Sequence, residues 1–235
     1  MEKNGMKQDN IFFRGEGDNW FYRNTKDLGK KAEFDFPTYI INLLKDKSGI
    51  KKIAELGCSN GWRLNDLGET LPNIELTGID ASLAAIQDGQ KKYPHIKLSQ
   101  GLLSNIPLDE EYDVVIIYFV LHWVDRSSLV KSIAEIDRCV RDGGILIIGD
   151  FYPDFPQRRH YHHLPESSVF TYKQDYPSIF EQLGIYKEIT RFTGNHNHKQ
   201  DLSILSCDSD SRWICSVLHK SLNNYYHERI LEKEP

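Results

Sequence analysis

Two groups of residues in this chain combine side chains and intervals suited to ligand chemistry. In the first, Gly57-Cys58-Ser59-Asn60-Gly61 follows the apolar run KKIAEL (51–56). Glycines after a strand let the backbone turn sharply and leave no side chain between loop and ligand. Asp80 ends the next run, IELTGID (74–80), about 20 residues past the loop. A carboxylate at that place accepts hydrogen bonds from both hydroxyls of a ribose, so loop and acid together read as a pocket for an adenosine-containing cofactor. Glu55 stands just before the loop; its charge would repel a pyrophosphate but suits a ligand with a cationic amino group. The loop also departs from the dinucleotide pattern G-x-G-x-x-G, with Ser59 at the middle glycine and no glycine at the third. A cofactor without phosphates fits better.

The second group is made of histidines. His122 follows the apolar run YDVVIIYFV (112–120), and His160, Tyr161, His162 and His163 follow ILIIGD (145–150). His122, His162 and His163 are candidate general bases for a hydroxyl acceptor, provided one lies within about 3 Å of the proton it removes. The plainer readings are a helix-leading histidine bonded to backbone and polar loop histidines packed among tyrosines. With His196 and His198 the loop histidines exceed the three or four ligands of a zinc ion, but no ExxH or CxxC spacing accompanies them, and no metal is assigned. Tyr172, Lys173 and Asp175 suit a polar substrate or the cap of a helix near Ser178.

The scaffold carrying these residues alternates between strand and helix. Phe36–Leu44 reads as a helix with Pro37 in its first turn. Trp62–Leu71 and the stretch from Ser82 to about Tyr93 read as helices stopped by Pro72 and Pro94. IKLSQ (96–100) reads as a short strand. YDVVIIYFV and ILIIGD are continuously apolar, as strands buried on both faces are. Between them a helix capped by Asp125 or Ser127 runs to Val140. This grammar predicts a parallel sheet with helices on both faces. After Asp150 come a Pro- and His-rich stretch, a short helix over Ser178–Leu183, and two strands, YKEITRF (186–192) and RWICSVLHK (212–220), joined by a long loop. The corresponding divisions are an N-terminal cap (1–35), a cofactor-binding core (36–150), a substrate-side insertion with its helix (151–183), a strand hairpin (184–222) and a tail (223–235). The aromatic cluster Phe12, Phe13, Trp20, Phe21 and Tyr22 says that part of the cap docks on something.

Composition sets the outer limits. At about 150 residues per domain, 235 residues make one domain or one with decorations. The net charge of −5 weighs against unaided binding to a nucleic-acid backbone and favours a small-molecule substrate. The longest apolar run falls short of the roughly 18 residues a membrane span needs. Cys58, Cys139, Cys207 and Cys215 lack metal spacing and a secretory context, which points to reduced thiols and a cytoplasmic location. A homodimer is compatible with all of this.

The pattern resembles the class I S-adenosylmethionine (SAM)-dependent methyltransferases. Their first motif, (E/D)-x-G-x-G-x-G, is matched by Glu55, Gly57, Ser59 and Gly61, and Asp80 stands at the family's ribose-binding acid. YDVVIIYFVLHWV (112–124), opened by Asp113, is similar to the fourth motif, and CVRDGGILIIGD (139–150) to the LxPGGxL segment, with Asp142 in place of proline. The resemblance covers about Lys51 to Asp150. It implies a Rossmann-like α/β fold, with a seven-stranded, mostly parallel sheet whose last strand is antiparallel. It also implies methyl transfer from SAM to a small polar acceptor, with a hydroxyl, such as that of a sugar or glycan precursor, preferred.

The residues implied for the cofactor are the loop (Gly57, Cys58, Ser59, Gly61), the acid and its successors (Asp80, Ala81, Ser82), and Gly101, Leu102 and Leu103 around the adenine. The positive sulfur of that cofactor can be stabilised by aromatic faces, for which Trp20, Tyr22 and Tyr118 are the candidates. The resemblance leaves the methionine carboxylate to Arg23 and the amine to Glu55 or the loop carbonyls. Rival readings are a nicotinamide-dependent dehydrogenase, whose Tyr-x-x-x-Lys pair occurs only at Tyr22 and Lys26, ahead of the glycine loop, and a methyltransferase-like partner without turnover. IYFV after the fourth strand lacks the NPPY-type motif of enzymes that methylate base or glutamine amino groups.

Overall fold

The computed structural model describes residues 7–28, 35–195 and 209–228. Cys207, His196, His198 and most of the predicted loop between the last two strands lie outside these residues. In chain order the strands are β1 (Lys52–Leu56), β2 (Glu75–Asp80), β3 (Lys97–Gln100), β4 (Tyr112–Tyr118), β5 (Val140–Phe151), β6 (Gln157–His160), β7 (Phe170–Lys173), β8 (Tyr186–Asn195) and β9 (Arg212–Lys220). Seven of them form one sheet in the order β3-β2-β1-β4-β5-β9-β8. The first five run parallel, and β9 is antiparallel to both β5 and β8. Strands β6 and β7 pair as a separate hairpin.

The N-terminal segment lies across the carboxyl ends of the strands. It comprises α1 (Gln8–Ile11), a π-turn (Phe12–Glu16) and α2 (Gly17–Asn24). The Gln8 side-chain amide donates to the Trp123 and Phe170 carbonyls at 2.7 and 2.8 Å and accepts from the Phe170 amide at 2.8 Å. Asp18 accepts from the Ser82 hydroxyl and the Ala84 amide at the start of α5 (Leu83–Lys92), where a negative charge is favoured by the helix dipole. Gly17 approaches so closely that a Cβ there would meet the Ser82 amide nitrogen at 3.1 Å.

Alternation along β4 explains the layers. Val114 and Ile116 point to one face and Val115 and Ile117 to the other, and all four are fully buried. The first face packs with Ile41 of α3 (Phe36–Ser48), Leu64 and Leu67 of α4 (Trp62–Thr70) and Ile86 of α5. The second packs with Ile133 and Ile136 of α6 (Leu129–Cys139) and Phe180 of α7 (Pro177–Glu181). Burying one such side chain is worth ~1.5–3 kcal/mol, and apolar contact on both faces is what a parallel sheet needs.

Several boundaries differ from the sequence reading. Helix α3 runs four residues past Leu44 to Ser48; Asp35 caps its start by accepting from the Thr38 amide at 3.1 Å, and Gly49 ends it in the left-handed region. Strand β5 starts at Val140 because Asp142-Gly143-Gly144 joins it as an irregular register opposite Tyr112 and Val114. Helix α6 starts at Leu129, later than Asp125 or Ser127. Asp125 accepts instead from the amide and hydroxyl of Ser127 at 2.8 Å and from the Gln8 amide at 2.9 Å. The insertion after β5 carries the β6–β7 hairpin, which its short polar sequence did not announce. No helix among the described residues is long and apolar enough to cross a membrane.

Candidate functional site

In a sheet ordered 3-2-1-4-5, the chain leaves β1 and β4 in opposite directions, which opens a crevice at their carboxyl ends. The structure has a cavity of about 200 Å³ there, under the N-terminal segment. Gly57 and Ser59 line it from the loop after β1, and Asp80 and Ala81 from the end of β2. Gly101, Leu102 and Leu103 line it after β3, and Tyr118, Phe119 and Val120 after β4. Phe12 and Trp20 close it from the N-terminal segment, and Trp123 from the turn after β4. Nine sequence-predicted cofactor residues therefore meet at one cavity: Trp20, Gly57, Ser59, Asp80, Ala81, Gly101, Leu102, Leu103 and Tyr118.

The loop is shaped by backbone demands. Gly57 has φ +87°, and a Cβ there would lie 2.2 Å from a Val120 methyl. Its amide donates to the Ile79 carbonyl at 2.6 Å, tying the loop to β2. Ser59 has φ +52°, unusual for a residue with a side chain. Its amide donates to Asp80 Oδ2 at 2.7 Å, while its hydroxyl is buried without a partner. Asp80 Oδ1 accepts from the Ser82 amide at 2.8 Å. Burial pushes the Asp80 carboxyl above its ordinary value, although these two amides pull the other way. A carboxylate has about four acceptor sites; two amides use half of them.

The remaining predicted residues fall behind or beside the cavity walls. Gly61 starts α4 in the left-handed region, Ser82 caps α5 by accepting from the Ala85 amide, and the Cys58 thiol is buried in the core behind the loop. Burial raises the Cys58 thiol well above its usual range. Glu55, expected with the loop carbonyls at the amine, is not among the cavity walls. It is buried against the Arg63 guanidinium, whose fork also holds Asp35 at 2.9–3.1 Å. Burial pushes the Glu55 carboxyl up to about 7 against the pull of Arg63.

Arg23, the residue expected at a methionine carboxylate, is not among the cavity walls either. Its guanidinium donates to Glu16 and, at 2.9 Å, to the Tyr161 hydroxyl, which itself donates to Glu16. This triad clasps the N-terminal segment to the insertion. His162 and His163 are exposed, with ring centroids 3.9 Å apart, and neither lines the cavity. Among the described residues no group of three His, Cys, Asp or Glu could hold a metal ion.

His122 is buried in a 3-10 turn (Leu121–Trp123) and is not itself a cavity wall, although Trp123 beside it is. Its ring centroid lies 4.4 Å from that of Trp123 and 6.3 Å from that of Phe119, both cavity walls. Its Nδ1 lies 2.8 Å from Asp150 Oδ1. Asp150 was missed by sequence reasoning, although the signal existed: it is an acid closing an apolar strand, as Asp80 is. Phe12, Asp18 and Trp123 were also missed, since nothing local in the sequence marks where a distant segment will dock.

Residues 53–144 match the family described as "Methyltransferase domain". The malonyl-[acyl-carrier protein] O-methyltransferase of Halalkalibacterium halodurans is 23% identical over 127 residues, covering 49% of this chain and 46% of that protein. The chain thus spans about half the length of that relative. The uncharacterized protein RP028 of Rickettsia prowazekii is 22% identical over 77% of this chain and 78% of its own length. In fold, the chain is similar to the 1,6-didemethyltoxoflavin-N1-methyltransferase of Burkholderia thailandensis, solved with S-adenosylhomocysteine (TM-score 0.65, 11% identity, 94% of this chain and 93% of that one). Over residues 53–144 the chain is thus similar to methyltransferase domains, and its sheet order and glycine loop agree with that likeness.

Proposed function

We propose that this protein transfers a methyl group from SAM to a small polar acceptor, with a hydroxyl oxygen as the preferred nucleophile. The observation that carries the cofactor half is Asp80. It lines the cavity beside the Gly57–Ser59 turn, and the amides that meet its carboxylate leave acceptor capacity unspent. A ribose diol supplies the two donors it lacks. Two further groups on the cavity walls also await partners, the Ser59 hydroxyl and the Trp123 indole N–H. A buried polar group without a partner costs ~1–3 kcal/mol, and the polar atoms of a nucleoside and an amino acid would satisfy both.

In this reading Asp80 holds the ribose, Gly57 and Ser59 line the path of the amino-acid portion, and Leu102 and Leu103 cover the adenine. Trp20 and Tyr118 offer aromatic faces to the sulfonium charge. The bound cofactor supplies an electrophilic methyl on a positive sulfur. The protein aligns the acceptor oxygen with that methyl and excludes water. As the new C–O bond forms and the C–S bond breaks, the hydroxyl proton leaves to a base, a role we give to His122. The acidic net charge favours a small acceptor over a nucleic acid.

Calorimetry with S-adenosylhomocysteine and with NAD separates this reading from a dehydrogenase. Saturable binding of the former, tighter than NAD, is expected, and the reverse order would overturn the proposal. A panel of hydroxyl and amine acceptors with labelled SAM, read by mass, then identifies the atom methylated; a protein that binds cofactor but labels nothing would instead be a silent partner.

A further inference from the structure

The carboxyl ends of β4 and β5 hold a buried arrangement that the fold does not require. Asp150, fully buried at the end of β5, is met by two backbone amides and a histidine ring. Its Oδ1 accepts from the Phe151 amide at 2.7 Å and lies 2.8 Å from His122 Nδ1, and its Oδ2 accepts from the His122 amide at 3.2 Å. Tying the turn to the strand needs only the backbone contacts. The ring contact is additional, and it has a chemical consequence. An ionised carboxylate only accepts, so Nδ1 must carry a proton, and a neutral ring then leaves its lone pair on Nε2.

The ring is also held in place. Its centroid lies 4.4 Å from that of Trp123 and 5.0 Å from that of Phe151. Phe119, three residues before His122, has φ +58°, a conformation a bulky residue keeps only where its surroundings over-determine it. The Phe119 amide donates to the Gly149 carbonyl at 2.7 Å, so the bend that brings the His122 turn over β5 is fixed next to Asp150. Two of the residues around the ring, Phe119 and Trp123, are walls of the cavity.

We propose that Asp150 is a positioning residue that fixes His122 as the Nδ1–H tautomer and aims Nε2 at the acceptor hydroxyl. The inference rests on the methyl-transfer reading above. The acceptor O–H bond breaks as the O–CH3 bond forms, the proton passes to Nε2, and Asp150 stabilises the resulting imidazolium without taking the proton itself.

The test begins with the full-length protein, 15N-labelled at histidine and saturated with S-adenosylhomocysteine. His122 is expected to show a protonated Nδ1 and an unprotonated Nε2; the opposite tautomer overturns the proposal. Asp150→Ala should release the ring toward the Nε2–H form that neutral imidazole favours in water. It should lower kcat about 100-fold or more on the acceptor found by the panel, the scale of a lost general base, with S-adenosylhomocysteine affinity within about twofold. Asp150→Asn can still accept from Nδ1–H and should keep the tautomer and recover part of kcat. A kcat within about threefold of wild type in Asp150→Ala would refute the positioning role. If that variant does not fold, the wild-type spectrum and Asp150→Asn decide. Loss of S-adenosylhomocysteine binding in the wild type would instead strike the cofactor reading and leave the tautomer result standing.

Discussion

Asp80 and Asp150 close two strands of the same sheet, the first after Gly-Ile and the second after Ile-Gly. Their surroundings diverge. Asp80 is met by two loop amides, from Ser59 and Ser82, and keeps acceptor capacity facing a cavity. Asp150 is fully buried, and its partners are a histidine ring and two amides. A strand-end carboxylate therefore does not by itself announce its task. The neighbouring connection decides: a glycine loop beside β2 leaves room for a ligand, whereas an aromatic turn beside β5 fills the space with protein.

The buried member of the pair should be the more sensitive. Asp150→Ala leaves two backbone amides and the His122 ring without their buried acceptor and should destabilise the protein by about 3 kcal/mol, read by urea unfolding. A loss no greater than that of Asp80→Ala would erase the contrast. Next comes Glu55, a third carboxylate near the site, buried inside β1. Its carboxyl is pushed by burial from 4.5 to about 7, so the folded protein binds a proton that the unfolded chain releases. Stability should therefore fall as pH rises through that window, by about 3 kcal/mol if the whole shift is expressed. Glu55→Gln should flatten this slope, and unfolding curves between about pH 4.5 and pH 7.5 would show whether it does.

Asp80→Ala should cost ~1–3 kcal/mol of cofactor affinity, about tenfold to a hundredfold, with a smaller effect on folding. Calorimetry with S-adenosylhomocysteine on the folded variant checks the ratio. Ser59 should respond least. Glycine there should stabilise the protein by about 1 kcal/mol, because φ +52° strains a residue with a side chain. The same change should weaken cofactor binding if the unpartnered hydroxyl meets the ligand. Opposite signs in the two measurements would set a loop kept open for a ligand still further apart from a turn packed for stability.

The cofactor half of the molecule was legible because its signals are local. Gly57, the loop and Asp80 lie within one β-α-β unit, and the turn chemistry that makes them useful is written in adjacent residues. The sheet was legible for a similar reason: apolar runs such as YDVVIIYFV are too continuous for anything but a strand covered on both faces. The acceptor half was not legible, because its contacts join residues more than a hundred positions apart. The Gln8 side chain meets Phe170, and Arg23 meets Tyr161. Arg23 and Glu55, expected at the cofactor, are paired with Glu16 and Arg63. A charged residue near a site in sequence is claimed by the opposite charge that reaches it first.

The grip of the Asp80 carboxylate on a ribose can be seen outright. A crystal structure of the protein with S-adenosylhomocysteine should show the two ribose hydroxyls donating to the Asp80 oxygens, beside the Gly57–Ser59 turn. A ligand seated elsewhere, or a cavity still vacant at saturating S-adenosylhomocysteine, would contradict it.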